Sequence, residues 1–156
     1  MKSIRTLLFV LGVTFLGAAF AADEPVKVVY HLSEGLAQAT RAMSNIRNHL
    51  DADPTAKIVV VTHGSGIEVL LEGAKDAKGQ SYAGSIGELA NRGVQCRVCN
   101  NTLATRGISK DNVVLEATVV PSGVAEVARL QARRATFTCV REALDEAYEA
   151  HIDAQL

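Results

Sequence analysis

The sequence predicts an α/β fold, a three-layer sandwich around a mostly parallel five-stranded sheet with an extra C-terminal helix. Three observations predict it. Short runs rich in Val and Ile alternate along the chain with segments whose apolar residues recur every three or four positions. The first two runs are almost wholly apolar, as expected of strands covered on both faces. Trp is absent and Val, Ala, Leu and Gly abound, which suits close helix–sheet packing.

The first twenty-one residues stand apart from that pattern. Lys2 and Arg5 precede an apolar, uncharged run over residues 7–16, and Ala19-Phe20-Ala21 forms a small-x-small site before the polar Ala22-Asp23-Glu24-Pro25. This order reads as a secretory signal peptide (1–21) cleaved near Ala21, which places the working protein in the periplasm. The alternative is an uncleaved anchor, but the run falls short of the roughly 20 apolar residues of a spanning helix. No Cys lies near the cleavage point to carry a lipid.

Residues 22–156 then form a single domain. Of 16 basic and 17 acidic residues in the whole chain, removal of Lys2 and Arg5 leaves 14 against 17. A weakly acidic balance of this kind argues against nucleic-acid binding and against a membrane-surface partner. It gives no reason for stable membrane insertion after cleavage.

Strand character falls on residues 26–30, 58–62, 94–98, 113–120 and 135–140. Between the first two, Leu36, Ala39, Met43, Ile46 and Leu50 mark a helix with Ser33 as its N-cap. Ile67, Leu70, Leu71 and Ala74 suggest a short second helix. Ile86, Leu89 and Ala90 suggest a third, stopped by Gly93. Pro121-Ser122-Gly123 opens a fourth, carrying Val124, Val127, Ala128 and Leu130. Residues 141–156 read as a terminal helix with Leu144, Tyr148 and Ile152 on one stripe. Right-handed crossovers and the flavodoxin-like order 2-1-3-4-5 are the expected topology at this size.

Three chemically capable residues end three strands: His31, His63 and Cys99. In an open parallel sheet the carboxyl ends of the strands share one rim, where ligands bind. The expected order puts His31 and Cys99 nearest its switch point. Cys99 runs into Asn100-Asn101-Thr102-Leu103, where Asn can cap a helix whose N-terminus favours a thiolate. Arg97 and Arg106 would add positive charge, and Asn101 lines the same site. The plainer readings are hydrogen-bonded loop histidines for His31 and His63, and small core residues for Cys96 and Cys139. Cys96 shares the parity of Val94 and Val98, whereas Cys99 has the opposite parity.

The three cysteines leave an odd thiol in an oxidising compartment. Cys96-Arg97-Val98-Cys99 suggests a redox pair, but along an extended strand three residues span about 10 Å. A disulfide needs Cα atoms within about 7 Å. Zinc would require two further ligands. Cys99, His31 and His63 together leave a soft metal such as copper as a geometric option, though no metal or cofactor is expected.

These segments resemble the DsrE/DsrF-like family of sulfur-relay proteins with the YchN-like fold. The resemblance runs from Lys27-Val28-Val29-Tyr30-His31 through Val59-Val60-Val61-Thr62-His63-Gly64 and Val98-Cys99-Asn100-Asn101-Thr102-Leu103. It continues to Val120-Pro121-Ser122-Gly123-Val124 and Leu130-Gln131. It implies a homo-oligomer, trimeric or hexameric, in which a cysteine at the position of Cys99 carries sulfur as a persulfide between donor and acceptor proteins. The chain departs from the family after Gln131, where a Gly-Tyr-Ala strand is usual, and in its longer tail and exported start. The expected function is a periplasmic sulfane-sulfur carrier or transferase using Cys99. The alternative is a non-enzymatic oligomeric module binding a small ligand or soft metal at the same rim.

Overall fold

The computed structural model describes residues 24–133 and the short strand 136–138. The predicted signal peptide, Cys139 and the predicted terminal helix lie outside the described residues.

Strand β1 covers Lys27–Leu32 and is followed by helix α1, Leu36–Ala52. Strand β2, Lys57–Thr62, leads into a 3₁₀ helix over Gly64–Leu70 and then helix α2, Tyr82–Asn91. Strand β3, Gln95–Cys99, passes directly into helix α3, Asn100–Thr105. Strand β4, Ala117–Val120, helix α4, Gly123–Ala132, and strand β5, Thr136–Thr138, complete the order.

All strand pairs are parallel, and the sheet order is β4-β3-β2-β1-β5, with β5 contributing three residues at the edge beside β1. This corrects the expected 2-1-3-4-5. The chain steps three times in one direction from β1 to β4, then crosses back past β1. Right-handed crossovers therefore place α1, the 3₁₀ helix, α2 and α3 on one face and α4 on the other. Strand β2 lies between β1 and β3, so His63 rather than a gap separates the ends that carry His31 and Cys99.

The two faces are unequal. The face under α1 and α2 holds the main core, including Leu32, Ile46, Ile58, Val60, Leu70, Leu89 and Val98. The face under α4 holds a small cluster of Val29, Val61, Val127 and Leu130. Burying a Val, Leu or Ile side chain stabilises the fold by about 1.5–3 kcal/mol, so the first face dominates.

Several local expectations shift. Strand β1 runs two residues beyond Tyr30, so His31 lies within the strand, not after it. Ser33 does not cap α1. Its N–H and that of Glu34 donate instead to the side-chain Oε1 of Gln38, buried in the first turn. Residues 113–120 are not one strand: Val113 and Val114 are buried, but the Val114 N–H donates to the Leu70 carbonyl in the loop before β4. The second predicted helix is the 3₁₀ helix, and Leu71 leaves it to bridge Val113. Pro121-Ser122-Gly123 does open α4, and the Ser122 hydroxyl caps it by accepting from the Ala125 N–H.

Gly66 is required by a close approach. A Cβ there would lie 2.2 Å from the Leu32 carbonyl oxygen, so the first turn of the 3₁₀ helix after β2 packs its backbone onto the end of β1.

Candidate functional site

The register fixes which residues share the α4 face. His31 pairs with Val61, and Val61 with Arg97. Paired residues of parallel strands project to the same side, and so do residues two apart along one strand. His31, His63, Arg97 and Cys99 therefore all project toward α4.

At the rim the first turn of α4 comes down onto the ends of β2 and β3. Gly123 is the contact point. A Cβ there would stand 3.1 Å from His63 Cβ, 3.2 Å from Cys99 Cβ and 3.2 Å from the Thr62 carbonyl oxygen. The absence of a side chain lets the helix N-terminus meet the thiol directly. His31 completes the cluster, its ring centroid 4.5 Å from that of His63.

Cys99 is buried, at 4% exposure, at the N-cap position of α3. Burial pushes its thiol up. The Thr102 hydroxyl and the backbone N–H groups of Gly123, Thr102 and Asn101 act the other way and together outweigh burial, so the thiol sits below its ordinary value. The Thr102 hydroxyl is itself oriented, because its oxygen accepts the Gly64 N–H at 3.1 Å. The Asn101 N–H also points to the Pro121 carbonyl at 3.3 Å, tying α3 to the loop that starts α4. His31 is shifted down by burial and by the charge of His63, and His63 by burial. Both rings therefore take up a proton less readily than an ordinary imidazole. The thiolate is supported by hydrogen bonds and not by an imidazolium partner.

An open cleft of about 400 Å³ adjoins the site, lined by Gly64, Ser65, Asn101, Thr102, Thr105 and Arg106. Thr102 belongs to both, with its hydroxyl toward the Cys99 sulfur.

The profile of the DsrE/DsrF-like family matches residues 11–138. The chain belongs to the DsrE/DsrF-like family. Among solved structures it is similar to MTH1491 of Methanobacterium thermoautotrophicum, a protein of unknown function. That match has 28% identity and a TM-score of 0.65 over 73% of this chain and 98% of that one. It is also similar to the ychN protein of E. coli, at 15% identity and a TM-score of 0.61 over 72% of this chain and 96% of that one. The second likeness supports the fold alone. No curated protein matches the chain. Family membership connects the protein with a sulfur-relay-related role.

Within this DsrE-like domain the predicted site residues separate into two groups. His31, His63, Cys99 and Asn101 are brought together at the rim. Arg106 lies on the cleft, its guanidinium donating to Glu68 Oε1 at 3.0 Å and directed to the Gly64 carbonyl. Arg97 is occupied elsewhere: it pairs with Glu126 of α4, which is 3% exposed and also held by Arg129. Strand parity puts Arg97 on the face of Cys99, but its partner makes it an anchor for α4 instead of an anion holder.

Cys96 faces the main core, as parity predicts, and burial together with the Glu116 charge pushes its thiol up to about 12. Cys96 and Cys99 are both free thiols at opposite faces of one extended strand. Among the described residues no group of three or more His, Cys, Asp or Glu side chains is placed to hold a metal ion. Among them, too, no helix is long and apolar enough to cross a membrane.

Sequence reasoning missed Thr102, Gly123 and Glu126 as contributors. Gly123 was signalled by Pro121-Ser122-Gly123, a helix start placed just after a strand. Glu126 was signalled as a carboxylate on the apolar stripe of α4.

Proposed function

We propose that this protein is an exported carrier of sulfane sulfur that receives it on Cys99 as a persulfide and passes it to a second thiol. The convergence of four donors on a buried Cys99 sulfur carries the reading. In the accepting step the Cys99 thiolate attacks the outer sulfur of a donor persulfide. A new S–S bond forms at Cys99, the donor's S–S bond breaks, and the donor leaves as a thiolate with the bonding pair. No external oxidant or reductant is required.

The same donors favour the sulfur in its anionic form before and after transfer. His63 stands beside Cys99 at the start of α4 with His31 against it, and the cleft past Thr102 offers the route of approach. Export rests on the basic, apolar and small-x-small order of residues 1–21.

Purified mature protein exposed to polysulfide, then analysed by mass spectrometry after thiol-blocking, is expected to gain one sulfur atom on the peptide containing Cys99. Cys99→Ser is expected to gain none there. Equal loading of parent and variant overturns the proposal.

A further inference from the structure

On the α4 side, at the end of the sheet away from Cys99, lies an apolar groove of about 260 Å³. Its floor is Val28, Val29, Val59 and Leu130, and its rim carries the cations Lys27, Lys57 and Arg133. Among the described residues Lys57 and Arg133 enter no ion pair, whereas Lys27 meets only the exposed Glu24 of its own strand lead-in. Val26, beside the groove, is left 46% exposed. This is the thinly covered face of the sheet, where among the described residues only α4 packs.

The chain holds a segment of matching chemistry. Residues 139–156 follow β5 and carry five acidic side chains, Glu142, Asp145, Glu146, Glu149 and Asp153, against one Arg. Leu144, Tyr148 and Ile152 recur at the four-residue spacing of a helix face. The geometry of the connection also fits. Thr138 pairs with Tyr30, one strand over from the groove-lining Val29. A helix over residues 141–156 would be about 24 Å long at 1.5 Å per residue, enough to run back down a six-residue strand of about 20 Å.

We infer that the acidic, amphipathic C-terminal segment folds back onto this groove of its own chain, its apolar stripe on Val29, Val59 and Leu130 and its carboxylates against Lys27, Lys57 and Arg133. The segment would thereby complete the third layer of the sandwich beside α4.

Zero-length carbodiimide coupling of the full mature protein, with peptide mapping, tests this. A one-to-one mixture of ¹⁵N-labelled and unlabelled protein separates links within a chain from links between chains. The Lys27–Glu24 pair, in contact at 2.5 Å, is the internal control. Links from Lys57 or Lys27 to carboxylates within residues 142–153 are expected, without mixed-label products. Leu144→Asp combined with Ile152→Asp is expected to lower their yield about tenfold while the control link persists. Three results overturn the inference: no such links beside a formed control, mixed-label links showing a second copy in the groove, or a yield unmoved by the double substitution.

Discussion

The rings of His31 and His63 lie 4.5 Å apart, centroid to centroid, inclined at 38°. Two imidazoles this close and half-buried resist protonation, His31 through burial and then the charge of His63, His63 through burial. Their pKa values in the folded protein fall below the ordinary 6.5. The unfolded chain therefore takes up protons first as the solution is acidified. Stability present above about pH 6.5 is lost as pH falls toward the folded values and levels off below them. Urea unfolding at about pH 7.5 and about pH 5 is expected to give a lower midpoint in acid. His63→Gln is expected to shrink that difference, because it removes one buried titrating ring and the repulsion acting on the other. A midpoint difference as large as the parent's would contradict the assignment.

Thr102 is expected to govern the Cys99 thiolate. Its hydroxyl is one of four donors around the sulfur, and the Gly64 N–H occupies its oxygen, which turns its hydrogen toward the thiol. A hydrogen bond to a charged group contributes about 1.5–3 kcal/mol. Thr102→Val keeps the shape, removes that donor and leaves the Gly64 N–H unanswered. It should cut the thiolate fraction near neutral pH about tenfold or more, read as the pH dependence of alkylation by iodoacetamide. Thr102→Ser should retain most of the parent reactivity, which a purely structural role for the methyl group would not produce. Cys96, pushed up to about 12 and facing the core, should not react in the folded protein on the same timescale.

Two glycines near the site should fail differently when given a side chain. At Gly66 a Cβ would meet the Leu32 carbonyl at 2.2 Å, a backbone clash that only movement of the 3₁₀ helix or of β1 relieves. Gly66→Ala is expected to destabilise the fold by about 2 kcal/mol or more. At Gly123 the contacts are 3.1–3.2 Å, tight but less severe, and two of the three are the Cβ atoms of His63 and Cys99. Gly123→Ala is expected to cost about 1 kcal/mol in stability and to lose disproportionately in thiol reactivity. The reason is that the helix start backs away from the sulfur and withdraws its N–H. Denaturation midpoints and alkylation rates measured side by side separate the two effects.

Much of this arrangement was legible in the sequence, and the misses have physical causes. The Val and Ile runs of β2, the helix start at Pro121-Ser122-Gly123 and the parity of Cys96 against Cys99 are local features that local patterns report well. The end of β1 was hidden because polar His31 interrupts the apolar run while Leu32 still lies in the core. Val113 and Val114 look like strand because they are β-branched and buried, yet the Val113 N–H bonds back to the Lys110 carbonyl and the Val114 N–H to Leu70 at the end of the 3₁₀ helix. Strand order depends on the direction in which each crossover steps, which no single segment encodes. At the site, the rim positions of His31, His63 and Cys99 follow from strand ends alone. The pairing of Arg97 with Glu126 joins residues on β3 and on α4, with α3 and β4 between them in the chain, and the donor from Gly123 arises only once α4 is seated.

That seating rests on Glu126. Its carboxylate is 3% exposed and held between Arg97 of β3 and Arg129 of its own helix. One turn earlier on the same helix, Gly123 touches the sulfur site. Arg97 is the more enclosed partner, at 21% side-chain exposure against 51% for Arg129. Removing one member of a buried pair typically costs about 3–5 kcal/mol because the other charge is stranded. Arg97→Met should cost somewhat less than that, about 2–3 kcal/mol, since Arg129 still answers Glu126. The double variant Arg97→Met, Glu126→Leu should recover much of the loss, because no charge is then left uncompensated and the apolar cluster of Val61, Val127 and Leu130 is extended. If the clamp positions α4 for chemistry as well as for stability, Arg97→Met should also raise the pH at which Cys99 alkylates, and the double variant should restore it only as far as Gly123 returns to the sulfur. Equal destabilisation in the single and double variants would show instead that the ion pair, and not the stranded carboxylate, is what the fold requires.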